Sequence, residues 1–118
     1  HRMVYAQESG TTAADETRVV HVVKGLSGTL SSFAAGCVTA CIGDSTISVD
    51  LLKNGTTVLS AAISLSSSES AREIVEATLS TTEITDEDVL EVEVTTSAGT
   101  GTLGEGVFAV LNLTEKPE

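Results

Sequence analysis

The sequence predicts an all-β protein, a single antiparallel β-sandwich of about seven or eight strands with a jelly-roll-like arrangement. The chain has 118 residues, which suits one domain with one core. Its apolar residues are mainly Val, Leu, Ile and Ala, and they are accompanied by many Ser and Thr, a composition that favours strands. Short apolar runs alternate with turn signals at regular spacing, which is typical of a sandwich or jelly roll.

The charge balance narrows the classes of partner. Six Lys and Arg against seventeen Asp and Glu give a formal net charge of −11. Such a surface repels phosphate backbones and anionic lipid. We therefore expect neither nucleic acid nor a membrane as a partner, and no apolar run is long enough to span a bilayer.

The termini are predicted to lie outside the sandwich. Residues 1–17 are polar, contain Gly and acidic residues, and are predicted to form an N-terminal arm ordered only against a neighbour. The sandwich domain is predicted over residues 18–114, with a tail over 115–118. The opening residues, His1-Arg2-Met3, leave open whether the native chain starts at Met3.

The first predicted strands are Arg18–Lys24 and Thr29–Thr39, the second one bulged near Gly36. The hairpin Thr46–Leu65 follows, and its turn is predicted at Lys53-Asn54-Gly55.

The register of this hairpin follows from its apolar pattern. A two-residue loop, Asn54-Gly55, would pair Val49 with Ser60 and mix apolar and polar side chains on both faces. A three-residue loop, Lys53-Asn54-Gly55, pairs Val49 with Leu59 and makes one face apolar. Because register follows the buried pattern, we predict the three-residue loop with Gly55 as a G1 bulge.

The second half contains one ambiguous segment and two clear strands. Ala71–Leu79 has helix propensity but is predicted as a strand in a β chain. Thr81–Asp88 is predicted as a connector, with one helical turn capped by Thr85 as an alternative. Val89–Thr96 alternates, so Leu90, Val92 and Val94 should face inward. Val107–Thr114 should close the fold as a strand buried on both faces or at an interface.

The sequence holds no catalytic constellation. His21 lies within a strand, and neither it nor His1 has a recognisable partner, so a Ser-His-Asp arrangement has no support. The Gly-rich loop at 99–104 has no following helix and is interpreted as a strand connection rather than a phosphate site. Phe33 and Phe108 should fill the core, which leaves no aromatic platform for a sugar ring. We expect no catalytic residue, no cofactor and no enzyme activity.

Cys37 and Cys41 are four residues apart. On one continuous strand they would lie about 13 Å apart, too far for a disulfide, although a bend could bring them together. Buried free thiols are the favoured interpretation, and a disulfide is the alternative.

Acidic loop residues leave a calcium hypothesis. Asp86 and Asp88 flank Glu87 in a connector, and such oxygens can bind calcium between the loops of a sandwich. The spacing matches no EF-hand, so a solvated connector is the favoured interpretation and no metal is expected.

Two segments, GDSTISVDLLKNGTTVLSAAISL and DEDVLEVEVTTSAGTGTLGEGVFAVLNL, resemble small jelly-roll-like β-sandwich proteins of tailed-phage virions and prophage-like regions. The resemblance covers roughly 28–113, whereas the segment from Cys37 to Cys41 departs from the pattern. It implies a non-enzymatic structural protein located in the virion, such as a capsid decoration (cement) protein or a fibre or tail domain. It also implies self-association, with a trimer favoured, and binding to a capsid or tail lattice. The alternative function is that of an extracellular adhesion or ligand-binding module, either dependent on calcium or independent of it.

Overall fold

The computed structural model describes residues 1–117 and contains ten strands connected by turns and loops. In chain order these are β1 (Arg2–Ala6), β2 (Glu16–Val22), β3 (Leu26–Thr39), β4 (Thr46–Lys53), β5 (Thr56–Thr57), β6 (Ile63–Leu65), β7 (Val75–Glu76), β8 (Glu83–Ile84), β9 (Val89–Ser97) and β10 (Glu105–Pro117).

The strands form two antiparallel sheets. The first sheet has the order β1-β10-β3-β7, with β8 also paired to β3, and the second has the order β2-β9-β4-β5, with β6 also paired to β4. Since β7 and β8 share one position, and β5 and β6 another, the sandwich has eight strand positions. The predicted all-β antiparallel sandwich is confirmed, with ten strands where seven or eight were expected. The order of the eight positions, 1-8-3-6 and 2-7-4-5, is that of a jelly roll.

The core lies between the two sheets and follows the strand alternation. On β9, Leu90, Val92 and Val94 are buried and their neighbours point outward, which confirms the predicted inward face. On β4, Ile47 and Val49 are fully buried in the same layer.

The N-terminal residues differ from the prediction. Arg2–Ala6 is not an arm but strand β1, paired with β10 from Arg2↔Asn112 to Ala6↔Phe108. Tyr5 is only 2% exposed because its ring faces the core. The polar composition hid this strand, since an edge strand needs few apolar side chains. The predicted tail also differs, because β10 continues to Pro117; Glu118 lies outside the described residues.

The predicted hairpin register is wrong. The structure pairs Lys53 with Thr56, so the loop is the two-residue Asn54-Gly55. Both loop residues have positive φ, 53° and 85°, as in a type I′ turn. Beyond Thr57 the return strand leaves β4 and pairs again three residues out of register, with Val49 opposite Ile63. The prediction assumed one continuous return strand, whereas an irregular segment restores the apolar pairing.

The ambiguous middle segments form short strands. Within Ala71–Leu79 only β7 is a strand, and a single bridge joins Leu79 to Leu59. The segment Thr81–Asp88 contains β8 but no helical turn, although Thr85 and Asp88 are hydrogen-bonded as the capping pattern suggested. No helix in residues 1–117 has the length and apolar character to cross a membrane.

Candidate interaction surface

The outer face of the first sheet has an unusually apolar row. Strand alternation points Val4, Val110 and Ala34 away from the core, and the pairing places them side by side across three strands, with Glu76 ending the row on β7. A single-layer outer face of a sandwich normally alternates to polar side chains. Here β10 carries apolar residues on both faces, in agreement with the prediction for this strand.

One aromatic ring extends this surface. Phe108 lies on the outer face, beside Gly36 of β3, rather than in the core as predicted; Phe33 is fully buried as predicted. A Cβ at Gly36 would lie 2.8 Å from Phe108 Cζ and 2.3 Å from the carbonyl oxygen of Glu73. Glycine is therefore required for the ring and the segment before β7 to approach β3 so closely.

The row borders a shallow cavity of about 370 Å³. Val4 and Ile74 line it from opposite rims and are 64% and 62% exposed. The charged side chains that line it are Arg2 on one rim and Glu76 on the other. Neither forms an ion pair within residues 1–117. We refer to these lining residues, together with Val110 and Ala34, as the apolar outer face.

The outer face of the second sheet is acidic. Asp50 of β4 is directly opposite Glu93 of β9, and Glu91 lies two residues along the same strand. The neighbouring β2 positions, Thr17 and Val19, add no positive charge to these rows. This face is therefore dominated by like charges.

The predicted calcium ligands already have N–H partners. The Asp86 carboxylate accepts a hydrogen bond from the Gly25 N–H at 2.5 Å. The Asp88 carboxylate accepts from Asn54 Nδ2 and from the Thr85 N–H, both at 2.8 Å. Burial raises the pKa of Asp88, but these hydrogen bonds outweigh it and leave the pKa below its usual value. Residues 1–117 contain no group of three or more His, Cys, Asp or Glu side chains arranged to hold a metal, and calcium binding stays a hypothesis.

Asn54 gives the hairpin turn a second role. Its Oδ1 accepts the Val89 N–H at 2.9 Å, while its amide nitrogen donates to Asp88. The turn at Lys53-Asn54-Gly55 is thus attached to the start of β9, and its function is structural.

The two cysteines are free and buried, which matches the favoured interpretation. Burial, with a smaller effect of Cys41, raises the pKa of Cys37 to about 11. A protonated buried thiol is a poor nucleophile, so Cys37 does not suggest catalysis.

Sequence reasoning missed a cluster of two histidines and a carboxylate. His21 Nε2 lies 3.1 Å from Glu115 Oε2, and His1 Nε2 lies 3.2 Å from Glu115 Oε1. The Glu115 side chain is nearly buried, and it connects β10 of the first sheet to β2 of the second. The partners are 94 residues apart for His21, so no local pattern could reveal them.

A second missed network joins the same two sheets. Tyr5 on β1 donates a hydrogen bond to Glu16 on β2, and Gln7 Nε2 donates to the Tyr5 hydroxyl at 3.0 Å. The Arg18 guanidinium lies over the Tyr5 ring at 5.2 Å and bonds Glu16 at 2.9 Å. The hydrogen bond from Tyr5, followed by the effects of Arg18, holds the pKa of Glu16 below its usual value.

Comparisons of the chain with protein-family models, curated proteins and solved structures found no match. No arrangement described above brings a nucleophile, a general base and an open cleft together. The feature of the molecule with the clearest functional implication is the apolar outer face.

Proposed function

We propose that this protein is a non-enzymatic structural component of a virion, either a capsid decoration protein or a fibre- or tail-associated domain. It acts by self-association and by binding to a capsid or tail lattice. The virion setting rests on the resemblance of its hairpin and of its β9 and β10 segments to jelly-roll-like phage proteins. The jelly-roll order of the strands is compatible with that class.

The single observation that carries an assembly role is the apolar outer face. Exposed, contiguous apolar surface on a monomer commonly marks a protein interaction site. The apolar outer face contains one positive and one negative side chain, Arg2 and Glu76, so its charges cancel. The molecule as a whole has a net charge of −11. A protein partner can cover this patch without placing a desolvated acidic cluster in the interface.

The location of the chain in particles tests the proposal. Prophage particles induced from the organism that encodes the chain would be banded in a density gradient and analysed by mass spectrometry. We expect this chain in the band, in a constant ratio to the major capsid or tail protein across the peak. A coding sequence beside genes for a capsid or portal protein would support the same conclusion.

The matched control is the unbanded lysate. If the chain is abundant in the lysate and absent from purified particles, the virion proposal is wrong. If the chain is present in the band, a high-salt wash shows whether apolar or charged contacts hold it on the particle. Salt weakens charged contacts but not apolar ones.

A further inference from the structure

We propose that a second copy of this chain covers the apolar outer face, and that the two copies are related by a two-fold axis parallel to the strands. The inference specifies the self-association in the proposed function as a two-fold pair, in place of the trimer that the resemblance implies, and relies on that function only for its biological setting. The resulting interface is isologous, so each copy contributes the same patch.

The strand order determines which parts of the patch meet. The first sheet runs β1-β10-β3-β7, so an axis between β10 and β3 places β1 of one copy over β7 of the other. The register then places Val4, on β1, opposite the partner's Glu76, with the partner's Ile74 two residues, about 7 Å, further along the same segment. Val4 and Ile74 are among the most exposed large apolar residues of the chain, and pairing removes both from water.

The same operation pairs opposite charges. Arg2 lies two residues, about 7 Å, from the row that contains Val4 and Glu76. An arginine side chain can span this distance, so Arg2 can reach the partner's Glu76 at both ends of the patch. The alternative axis lies perpendicular to the strands and passes through this row. It would place the Glu76 side chains of the two copies against each other, and the two carboxylates would repel.

The second sheet cannot offer an equivalent surface. Face-to-face pairing there would bring Asp50, Glu91 and Glu93 of both copies together. Like charges brought together and desolvated oppose association. The charge distribution therefore selects the first sheet for pairing between identical copies.

Sedimentation velocity over a concentration series tests the pairing. The full chain, of 12.1 kDa, should show a concentration-dependent rise toward twice that mass at concentrations up to about 1 mM, the weak end of specific association. Val110→Lys places a charge at the centre of the patch and should weaken pairing by about tenfold or more. Val19→Lys makes the same change on the opposite outer face and should leave pairing intact.

A charge exchange tests the geometry independently of any folding defect. Arg2→Glu or Glu76→Arg alone should each weaken pairing by about threefold, since rim ion pairs contribute modestly. The double variant restores opposite charges across the axis and should return to within about twofold of the unmodified chain. Circular dichroism and the unfolding midpoint of each variant confirm that the fold is retained.

A strict monomer up to about 1 mM, a mass that rises to three chains only, or a Val110→Lys variant that pairs normally would each overturn the inference. These results are separable from the particle test. A chain that sediments as a monomer yet bands with particles contradicts the pairing alone. A chain that pairs yet is absent from particles contradicts the virion role alone.

Discussion

The two outer faces of the sandwich differ although the two inner faces are alike. Inside, buried aliphatic side chains occupy every second position of β4 and β9 in the second sheet and of β10 in the first, where Tyr5 and Phe33 are buried beside them. Outside, the first sheet directs Val4, Val110 and the nearly buried Ala34 away from the core, whereas the second presents Asp50, Glu91 and Glu93 beside the exposed Val19. The inward side chains must be apolar because the core buries them. The outward side chains of the two sheets are not constrained in this way.

This difference separates what folds the chain from what it can contact. Like charges on an acidic outer face oppose association between copies, whereas exposed apolar surface favours it. A chain with one face of each kind can associate in a limited number of orientations. Substitutions in the first sheet, at the connection between the sheets and in the second sheet should therefore have different effects.

The largest effect should come from Gly36 in the first sheet. Gly36→Ala adds a Cβ that would lie 2.3 Å from the Glu73 carbonyl oxygen and 2.8 Å from the Phe108 ring. Backbone and ring must both move, so we expect a loss of about 1–3 kcal/mol in the free energy of unfolding. Urea unfolding followed by circular dichroism measures this as a lower midpoint with an unchanged slope.

Ser48→Ala is the matched control on the outer face of the second sheet. Its effect should stay within about 0.5 kcal/mol, as for ordinary surface substitutions. If Gly36→Ala is equally mild, the close packing of Phe108 and the β7 segment on β3 is not a requirement of the fold.

A smaller effect is expected where the sheets meet. Tyr5→Phe removes the hydrogen bond to Glu16 and should cost about 1 kcal/mol at neutral pH. Because this bond lowers the pKa of Glu16 in the folded chain, its contribution is complete above the usual value of 4.5 and is lost as the pH falls through the folded pKa. The difference between Tyr5→Phe and the unmodified chain should therefore shrink below about pH 4.5, measured by urea unfolding at several pH values.

Ser80→Ala is a suitable comparison, because it removes a hydroxyl bond to the Val58 carbonyl oxygen, in which no titrating group takes part. A Tyr5→Phe difference that is constant from about pH 7 to about pH 3 would show that the pKa of Glu16 does not depend on Tyr5.

The sequence predicts those structural features that depend on neighbouring residues in the chain. The alternation of Leu90, Val92 and Val94 is a direct consequence of burial on one face, so it could be predicted from β9 alone. The hairpin register could not, since it depends on the chain leaving β4 after Val58, where Leu59 pairs with Leu79. A local pattern does not contain that information.

The same limit applies to the apolar outer face. The apolar character of Val107–Thr114 predicts a strand buried on both faces or at an interface, but its neighbours β1 and β3 come from distant parts of the chain. Strand β1 was missed because its inward residues, Met3 and Tyr5, are few and one of them ends in a polar hydroxyl. The contact of Glu115 with His21 likewise exists only after the sheets pack.

The smallest effect should be a gain, on the second sheet. Glu93→Lys replaces the carboxylate opposite Asp50 with a positive charge, so a repulsive cross-strand pair becomes attractive. We expect a rise of about 0.5–1 kcal/mol in the free energy of unfolding at low salt, and less at high salt.

Glu76→Lys on the first sheet is the matched control. It changes the net charge equally, but the residue paired with position 76 is Ala34 and not an acidic residue. At a concentration that keeps the chain monomeric, this control should change little. Equal gains in both variants would mean that net charge alone matters and that the acidity of the second sheet has no local effect.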